Sequence, residues 1–386
     1  MFKKKILWLH KWLGLISGLV VLIVSLTGCL TVFQDELQLM THPEKFFIER
    51  QNLQPSKTIP LSKLIRIAEA KLNPGEKISR VDVFPQDNRT WVFRAIKTNK
   101  DAFFYSDYFT YYKRVFVNPY TGNVQVVENT KANFFQIVLQ LHMNLLLGKK
   151  YGHVIVGFST IFFAVICLTG IVLWWPKKWK PKTLKNSFSI NFKANKKRFN
   201  YDLHNVLGFY SLIFALLFAF TGLVFAFPDL KKAVSSQLNS LDSKEEQKLS
   251  LPLIPQTASG ILDNSFDYVL SHHPTADQLS VRLEKDIAEP QTIQVRMEKN
   301  RTGIFYGYSF NQKTGQLDEL KSSDNLQLGS RVTSLNYDLH VGSFGGIYTK
   351  ILAFLASLVC ASLPVTGFII WLNKYKKSKK RKLKES

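Results

Sequence analysis

The chain has 386 residues, with 51 Lys and Arg against 28 Asp and Glu, a formal net charge of +23. Apolar residues make up 46% and include 30 Phe, which excludes intrinsic disorder, because so much large apolar surface outweighs the entropy of ordering. Three Cys exclude a disulfide scaffold, and the +23 balance leaves nucleic acid, an acidic partner or a membrane surface to choose among.

In chain order, the first predicted element is an apolar run at 13–33, preceded by Lys3, Lys4, Lys5 and Lys11. About 20 apolar residues suffice to cross the hydrocarbon core as a helix. Leu26-Thr27-Gly28-Cys29 inside this run also matches a lipoprotein cleavage box, an alternative that would remove the first span. Segment 34–131 follows as an α+β domain. It has a helix at 61–72 by apolar spacing, strands at 78–84, 90–95 and 114–118, and a turn at 119–123. Segment 132–147 is apolar and predicts a helix lying on the membrane surface, joined to a second span at 154–175. The link 176–205 is basic, and a third span covers 206–227. Segment 228–338 repeats the α+β plan, with a helix at 260–270 and strands at 279–283, 291–298 and 303–311. Stretches with Pro and Ser at 53–60 and 250–255 are expected linkers. The fourth span, 351–372, falls in segment 339–372, and the tail 373–386 is basic.

The charge sorts by side. The N-terminus, the 176–205 link and the tail hold twenty-one Lys and Arg against Asp202 and Glu385 alone, so +19 of the +23 sits there. With four alternating spans these three segments share one side, and the positive-inside rule puts both termini in the cytoplasm. Trp8, Trp12, Trp174, Trp175, Trp179 and Trp371 lie at the same ends of the spans, as an interfacial belt predicts. Nucleic-acid binding thereby loses its main support, and the lipid bilayer becomes the expected partner.

The chain repeats itself. His10-x-x-x-Gly14 and His204-x-x-x-Gly208 are 194 residues apart, as are Thr27-Gly28 and Thr221-Gly222. Asn118…Gly122 and Asn311…Gly315 are 193 apart, Thr169-Gly170 and Thr366-Gly367 are 197 apart, and His142 and His340 are 198 apart. Landmarks in one order at nearly one offset predict two copies of span, outer domain, span. The fold class expected is thus an α-helical membrane bundle of four spans in two parallel repeats, related by a pseudo-twofold axis along the membrane normal.

Eight His remain to be placed. His42, His272 and His273 have no repeat partner and are expected at the surface. His10 and His204 mark the cytoplasmic ends of spans, and His142, His153 and His340 the outer ends. A pseudo-twofold axis brings equivalent residues face to face, and two facing His at one depth is the arrangement that ligates haem iron axially. Gly14 and Gly208, one turn along, would admit a flat ring. Thr27-Gly28 lies about 26 Å along the helix from His10, at the level of His142 and His340. Thr169-Gly170 and Thr366-Gly367 lie at the level of His10 and His204. Each site would then take His from two helices and small residues from the other two, although ordinary small-residue packing explains such pairs as well. At the outer site either His142 or His153 could serve. His153 has Gly157 four residues on, but its counterpart falls near Lys350, whereas His142 has His340. No phosphate-binding loop, dinucleotide fingerprint or serine-nucleophile motif is present in the sequence.

Leu9-His10-Lys11-Trp12-Leu13-Gly14, the Thr-Gly pairs, the two Leu-His motifs, the Gly170–Pro176 run and Phe116–Gly122 together resemble the PepSY-associated transmembrane proteins, also called iron-regulated membrane proteins. The resemblance covers nearly the whole chain. It implies a bacterial inner-membrane, multi-pass protein whose outer segments are periplasmic PepSY-like domains. The second domain resembles the family less, because Asn311-Gln312-Lys313-Thr314-Gly315 lacks the Pro-Tyr of the first. Some members resemble FoxB-type ferric-siderophore reductases. By that resemblance His10, His204, His142 and His340 are axial ligands of two b-type haems. A ferric siderophore is then the periplasmic partner, and quinol or a cytoplasmic reductant is the electron donor. The competing expectation is a non-enzymatic PepSY membrane protein that binds or restrains a periplasmic peptidase.

Overall fold

The computed structural model describes residues 2–49, 58–176, 178–242, 251, 260–284, 286–299 and 301–385. Most of the two predicted linkers, at 53–57, 250 and 252–255, lies outside the described residues. The chain divides into two compact units.

The first unit comprises 1–33, 138–230 and 339–386. Among the described residues it contains four helices long and apolar enough to cross a membrane: span 1, Phe2–Val32; span 2, Lys149–Trp174; span 3, Lys196–Ala226; and span 4, Ile347–Ser378. Mean hydropathy over their most apolar 18 residues is 2.1–2.5. Large apolar side chains face away from the bundle, with Ile213 78%, Leu19 68% and Ile16 66% exposed. Such a surface is unfavourable in water and suits a lipid bilayer. The faces turned inward carry small residues instead, among them Ser17, Ala215, Ala219, Ala353, Cys360 and Ala361. Helices in lipid gain nothing from hiding Leu from Leu, and associate by close approach of small side chains. Span 1 packs against spans 2 and 4, and span 3 packs against the same two. Spans 1 and 3 therefore stand on one diagonal, and spans 2 and 4 on the other.

The helices extend beyond the apolar runs. Span 1 begins at Phe2, so its lysines sit on the helix itself. The basic link contains a helix at Pro181–Phe188, and the helix that becomes span 3 begins at Lys196. Asn195 caps it, its side-chain oxygen accepting from the Arg198 N–H at 3.0 Å. A π-helical turn at Leu203–Leu207 interrupts the α-helix and contains His204.

The second unit comprises 34–137 and 231–338. The two outer segments, expected as separate domains, share one sheet. Its eight strands are β1 Ile78–Val83, β2 Trp91–Thr98, β3 Phe109–Val117, β4 Val124–Asn129, β5 Gln278–Arg282, β6 Gln291–Glu298, β7 Arg301–Phe310 and β8 Leu317–Ser322. All neighbours are antiparallel, in the order β4-β3-β2-β1-β5-β6-β7-β8. The order mirrors about the β1/β5 join, where Val81 pairs with Val281 and Val83 with Leu279. Alternation puts Val81, Val83, Phe93, Val115, Leu279, Val281, Ile293 and Val295 on one buried face. Helices Leu61–Glu69 and Ile261–His272 contribute Leu64, Ala68, Phe266 and Val269 to the same core. Asp263 links them: its carboxylate accepts from the Ser62 N–H at 2.8 Å and the Ser62 hydroxyl at 2.6 Å.

Both Asn…Thr-Gly stretches form the same turn. Asn118 Oδ1 accepts from the N–H groups of Tyr120 and Thr121, and Asn311 Oδ1 from those of Lys313 and Thr314. Gly122 and Gly315 follow at φ 74° and 69°, a left-handed conformation that favours glycine. The missing Pro-Tyr in the second stretch changes nothing, because the turn depends on the Asn side chain and the Gly.

Asp82 is fully buried on β1, on the face opposite the main core. Burial alone would raise its pKa, but hydrogen bonds and charge from Arg94, and from Arg80 at 2.8 Å, hold it below the ordinary value. Glu128 is likewise held down against burial by Arg114 and Lys45. Because folded-state pKa values are depressed, this stabilisation is fully present above the ordinary carboxylate range and is lost as the pH falls through the folded values. Asp82→Asn should cost the sheet unit about 3 kcal/mol, the low end for breaking a buried pair, since Arg80 is partly solvated. Hydrogen exchange at the β1 and β5 amides of the full chain in detergent checks this. Unchanged protection at neutral pH would contradict it.

Candidate functional site: two facing histidine pairs

Four of the five span-end histidines meet in pairs. His10, on span 1, faces His204, on the π-turn of span 3, with ring centroids 6.3 Å apart and ring planes at 89°. His142 lies on the helix Phe134–Asn144, which precedes span 2, and His340 on the helix Asn336–Val341, which precedes span 4. Their centroids are 6.1 Å apart and their planes at 68°.

Each ring is held from behind by a threonine. His10 Nδ1 is 3.0 Å from Thr169 Oγ1, and His204 Nδ1 is 2.9 Å from Thr366 Oγ1. His142 Nδ1 is 3.2 Å from Thr27 Oγ1, and His340 Nδ1 is 2.8 Å from Thr221 Oγ1. The glycine after each threonine lies against the same ring. A methyl built on Gly170 would stand 3.5 Å from His10 Cε1, on Gly367 3.2 Å from His204 Cε1, on Gly28 3.4 Å from His142 Cε1, and on Gly222 3.7 Å from His340 Cε1. At Gly367 this is tighter than an ordinary contact, so the ring would have to give. At Gly28 a methyl would also crowd Ser357 Oγ at 3.0 Å. The diagonals explain the pattern. The first site takes His from spans 1 and 3 and Thr-Gly from spans 2 and 4. The second takes Thr-Gly from spans 1 and 3 and His from the helices leading into spans 2 and 4.

The remaining sequence candidates are placed as follows. A methyl on Gly14 meets nothing within 4 Å, so span 1 leaves room beside the His10 ring one turn along. One on Gly208 would make ordinary contact with Leu363, at 3.7 Å. His153 joins neither pair. Its Nε2 donates to the carbonyl of Ala226, at the end of span 3, at 3.2 Å. Gly157 admits the Phe227 ring, whose Cζ would lie 2.9 Å from an added methyl. His273, expected at the surface, is buried, with Nε2 2.7 Å from the Tyr308 hydroxyl. Burial, then the neighbouring Tyr268 and Tyr306, push Tyr308 up to about 12, so this pair is a neutral hydrogen bond that satisfies two core groups. No periodic signal distinguished His273 from His272, because the two straddle the end of helix Ile261–His272, where helical spacing no longer predicts which side chain is buried.

Two features decide what the pairs can hold. Two metal–nitrogen bonds of about 2.0–2.1 Å, plus roughly 1.1 Å from each nitrogen to its ring centre, put imidazoles on opposite sides of one metal about 6.3 Å apart. Both observed separations match that span. Neither pair has further protein ligands nearby: among the described residues no three His, Cys, Asp or Glu come together as a metal site.

Comparison with curated proteins gives no match. Comparison with protein families gives one, the PepSY-associated TM region, over residues 7–374. A match spanning both units and all four long apolar helices, with the paired histidines inside it, makes this chain a membrane protein of the PepSY-associated TM region family.

Proposed function

We propose that the protein is a haem-binding reductase of the bacterial inner membrane, carrying electrons across the bilayer to ferric iron held by a siderophore in the periplasm. The observation that carries this reading is the repeated facing of two imidazoles at 6.3 and 6.1 Å, once at each end of the bundle. His10 and His204 would hold one b-type haem, and His142 and His340 the other, each through the ring nitrogen that the threonine leaves free. Bound there, the two groups supply one-electron redox chemistry at two depths of the membrane.

The protein's own part is to hold the rings and to keep water out. Gly28, Gly170, Gly222 and Gly367 let the rings lie close to the helices, and Gly14 leaves room alongside. The lipid-facing Ile and Leu surface surrounds both sites with low dielectric. Reduction would release iron on the outer side, because ferrous iron is held less strongly than ferric iron by hard oxygen ligands. Quinol or a cytoplasmic reductant would serve as donor at the His10/His204 end. The sheet unit, an α+β layer with two sequence-related halves, would be the periplasmic docking surface.

This reading includes the pseudo-twofold duplication and the orientation. The mirrored strand order, the twin Asn…Gly turns and the matched His–Thr geometry support the first. The +19 on the termini and the 176–205 link supports the second.

Protein purified in detergent from haem-replete cells should show a dithionite-reduced b-type spectrum with about two haems per chain. His10→Ala with His204→Ala should remove one equivalent, and His142→Ala with His340→Ala the other. Absence of any Soret band after haem supplementation would overturn the reading. Mixing the dithionite-free reduced protein with a ferric trihydroxamate should reoxidise it and release ferrous iron to a chelator. Haem that stays reduced would leave a cytochrome without this activity.

Orientation has its own check. Lys100→Cys, on the sheet unit, should react with a membrane-impermeant maleimide in intact spheroplasts, and Lys193→Cys, in the link, only after lysis. The reverse pattern would invert the proposed direction of electron flow.

A further inference from the structure

We propose that the four Thr-Gly pairs are imidazole clamps that fix each paired histidine as its Nδ1–H tautomer, making Thr27, Thr169, Thr221 and Thr366 positioning residues for ligation through Nε2. The inference rests on the haem reading for its purpose, but its geometry stands on the protein alone.

The argument follows the protons. A threonine hydroxyl has one proton and can accept as well. In all four cases that proton is already directed to the threonine's own helix. Thr27 donates to the Ile23 carbonyl at 2.7 Å, Thr169 to Val165 at 2.8 Å, Thr221 to Leu217 at 2.6 Å and Thr366 to Ser362 at 3.0 Å. What each hydroxyl offers the facing ring is a lone pair, so Nδ1 must be the donor. At His142 the assignment has a second support, because Nδ1 also lies 2.9 Å from the carbonyl of Val24, which has no proton to give. With Nδ1 protonated, neutral imidazole keeps its basic lone pair on Nε2. Among the described residues none of the four Nε2 atoms has a hydrogen-bond partner. The glycine completes the clamp, since a side chain there would press on Cε1, the atom between the two nitrogens, and turn the ring.

Position adds a constraint. Thr169 serves His10 and Thr27 serves His142, all from residues before 175; Thr366 serves His204 and Thr221 serves His340, all from residues after 203. Every clamp is built within its own half of the chain, while every pair is built between halves. The contact that orients each ring therefore does not depend on the other half. A hydrogen bond from Nδ1–H also raises the basicity of Nε2 and favours the more oxidised metal.

The test uses full-length protein in detergent, with conservative pairs of variants. Thr169→Val with Thr366→Val keeps the shape and removes the acceptor at the His10/His204 site. Thr27→Val with Thr221→Val does so at the His142/His340 site, and Ser at the same positions restores the hydroxyl. In cofactor-free protein, histidine 15N shifts should show Nδ1–H at all four rings; Thr221→Val should move His340 towards Nε2–H, whereas His142 in Thr27→Val should stay Nδ1–H because the Val24 carbonyl still accepts from it. In haem-loaded protein, each Val pair should weaken binding at its own site about 10–100-fold and raise that site's midpoint potential, with Ser close to wild type. Wild-type rings found as Nε2–H, or Val variants with unchanged tautomer, affinity and potential, would overturn the clamp while leaving haem binding intact. A wild type that takes up no haem would overturn the haem reading, and the 15N shifts would still decide the clamp.

Discussion

A threonine inside an apolar helix must direct its hydroxyl proton somewhere, and the carbonyl one turn back is the nearest acceptor. That local choice turns the oxygen lone pair outward. In this bundle the same choice is made four times, and each time an imidazole Nδ1 sits within 2.8–3.2 Å of the oxygen. The rest of the bundle follows from this contact. The helices must lie close enough for a threonine on one to reach a ring carried by another, which demands glycine next to the threonine and small residues along the seams. The rings, held from behind, then face each other across the diagonal.

The sheet unit solves a different problem with the same symmetry of parts. Either outer segment alone would end in an open β1 or β5 edge, with unpaired N–H and C=O groups beside Val81, Val83 or Val281. Pairing β1 with β5 covers both edges at once and merges two small cores into one. Asp82, buried beside that join with two arginines, makes the join charge-compensated rather than purely apolar.

Much of this was legible in the sequence because recurring motifs supply an internal comparison. His10 and His204, or Thr27 and Thr221, stood out as pairs at one offset, and four apolar runs predicted four spans. Helix lengths were less legible. Lysines at 3–5 and 374–377 look like flanks by hydropathy, yet the backbone continues helical through them, since hydropathy reports the solvent and not the hydrogen bonding. The π-turn around His204 leaves no compositional mark. The β1/β5 pairing was hidden because the alternation of each strand shows its buried face and not the neighbour along its edge. His142 and His153 both sit near the outer end of span 2, and in the sequence only the offset to His340 favours the first. Their partners separate them: Thr27 and Val24 for one, the Ala226 carbonyl for the other.

The division of each site between halves has a consequence for what a half can be. Residues up to 175 contain two complete clamps and one ring for each site; residues from 196 contain the other two clamps and the other two rings. A single half thus holds one ring of each facing pair, and it also carries an unsatisfied strand edge. Two such halves, whether fused in one chain or separate, complete both histidine pairs and the sheet in a single association. Linking the halves covalently makes that association independent of concentration.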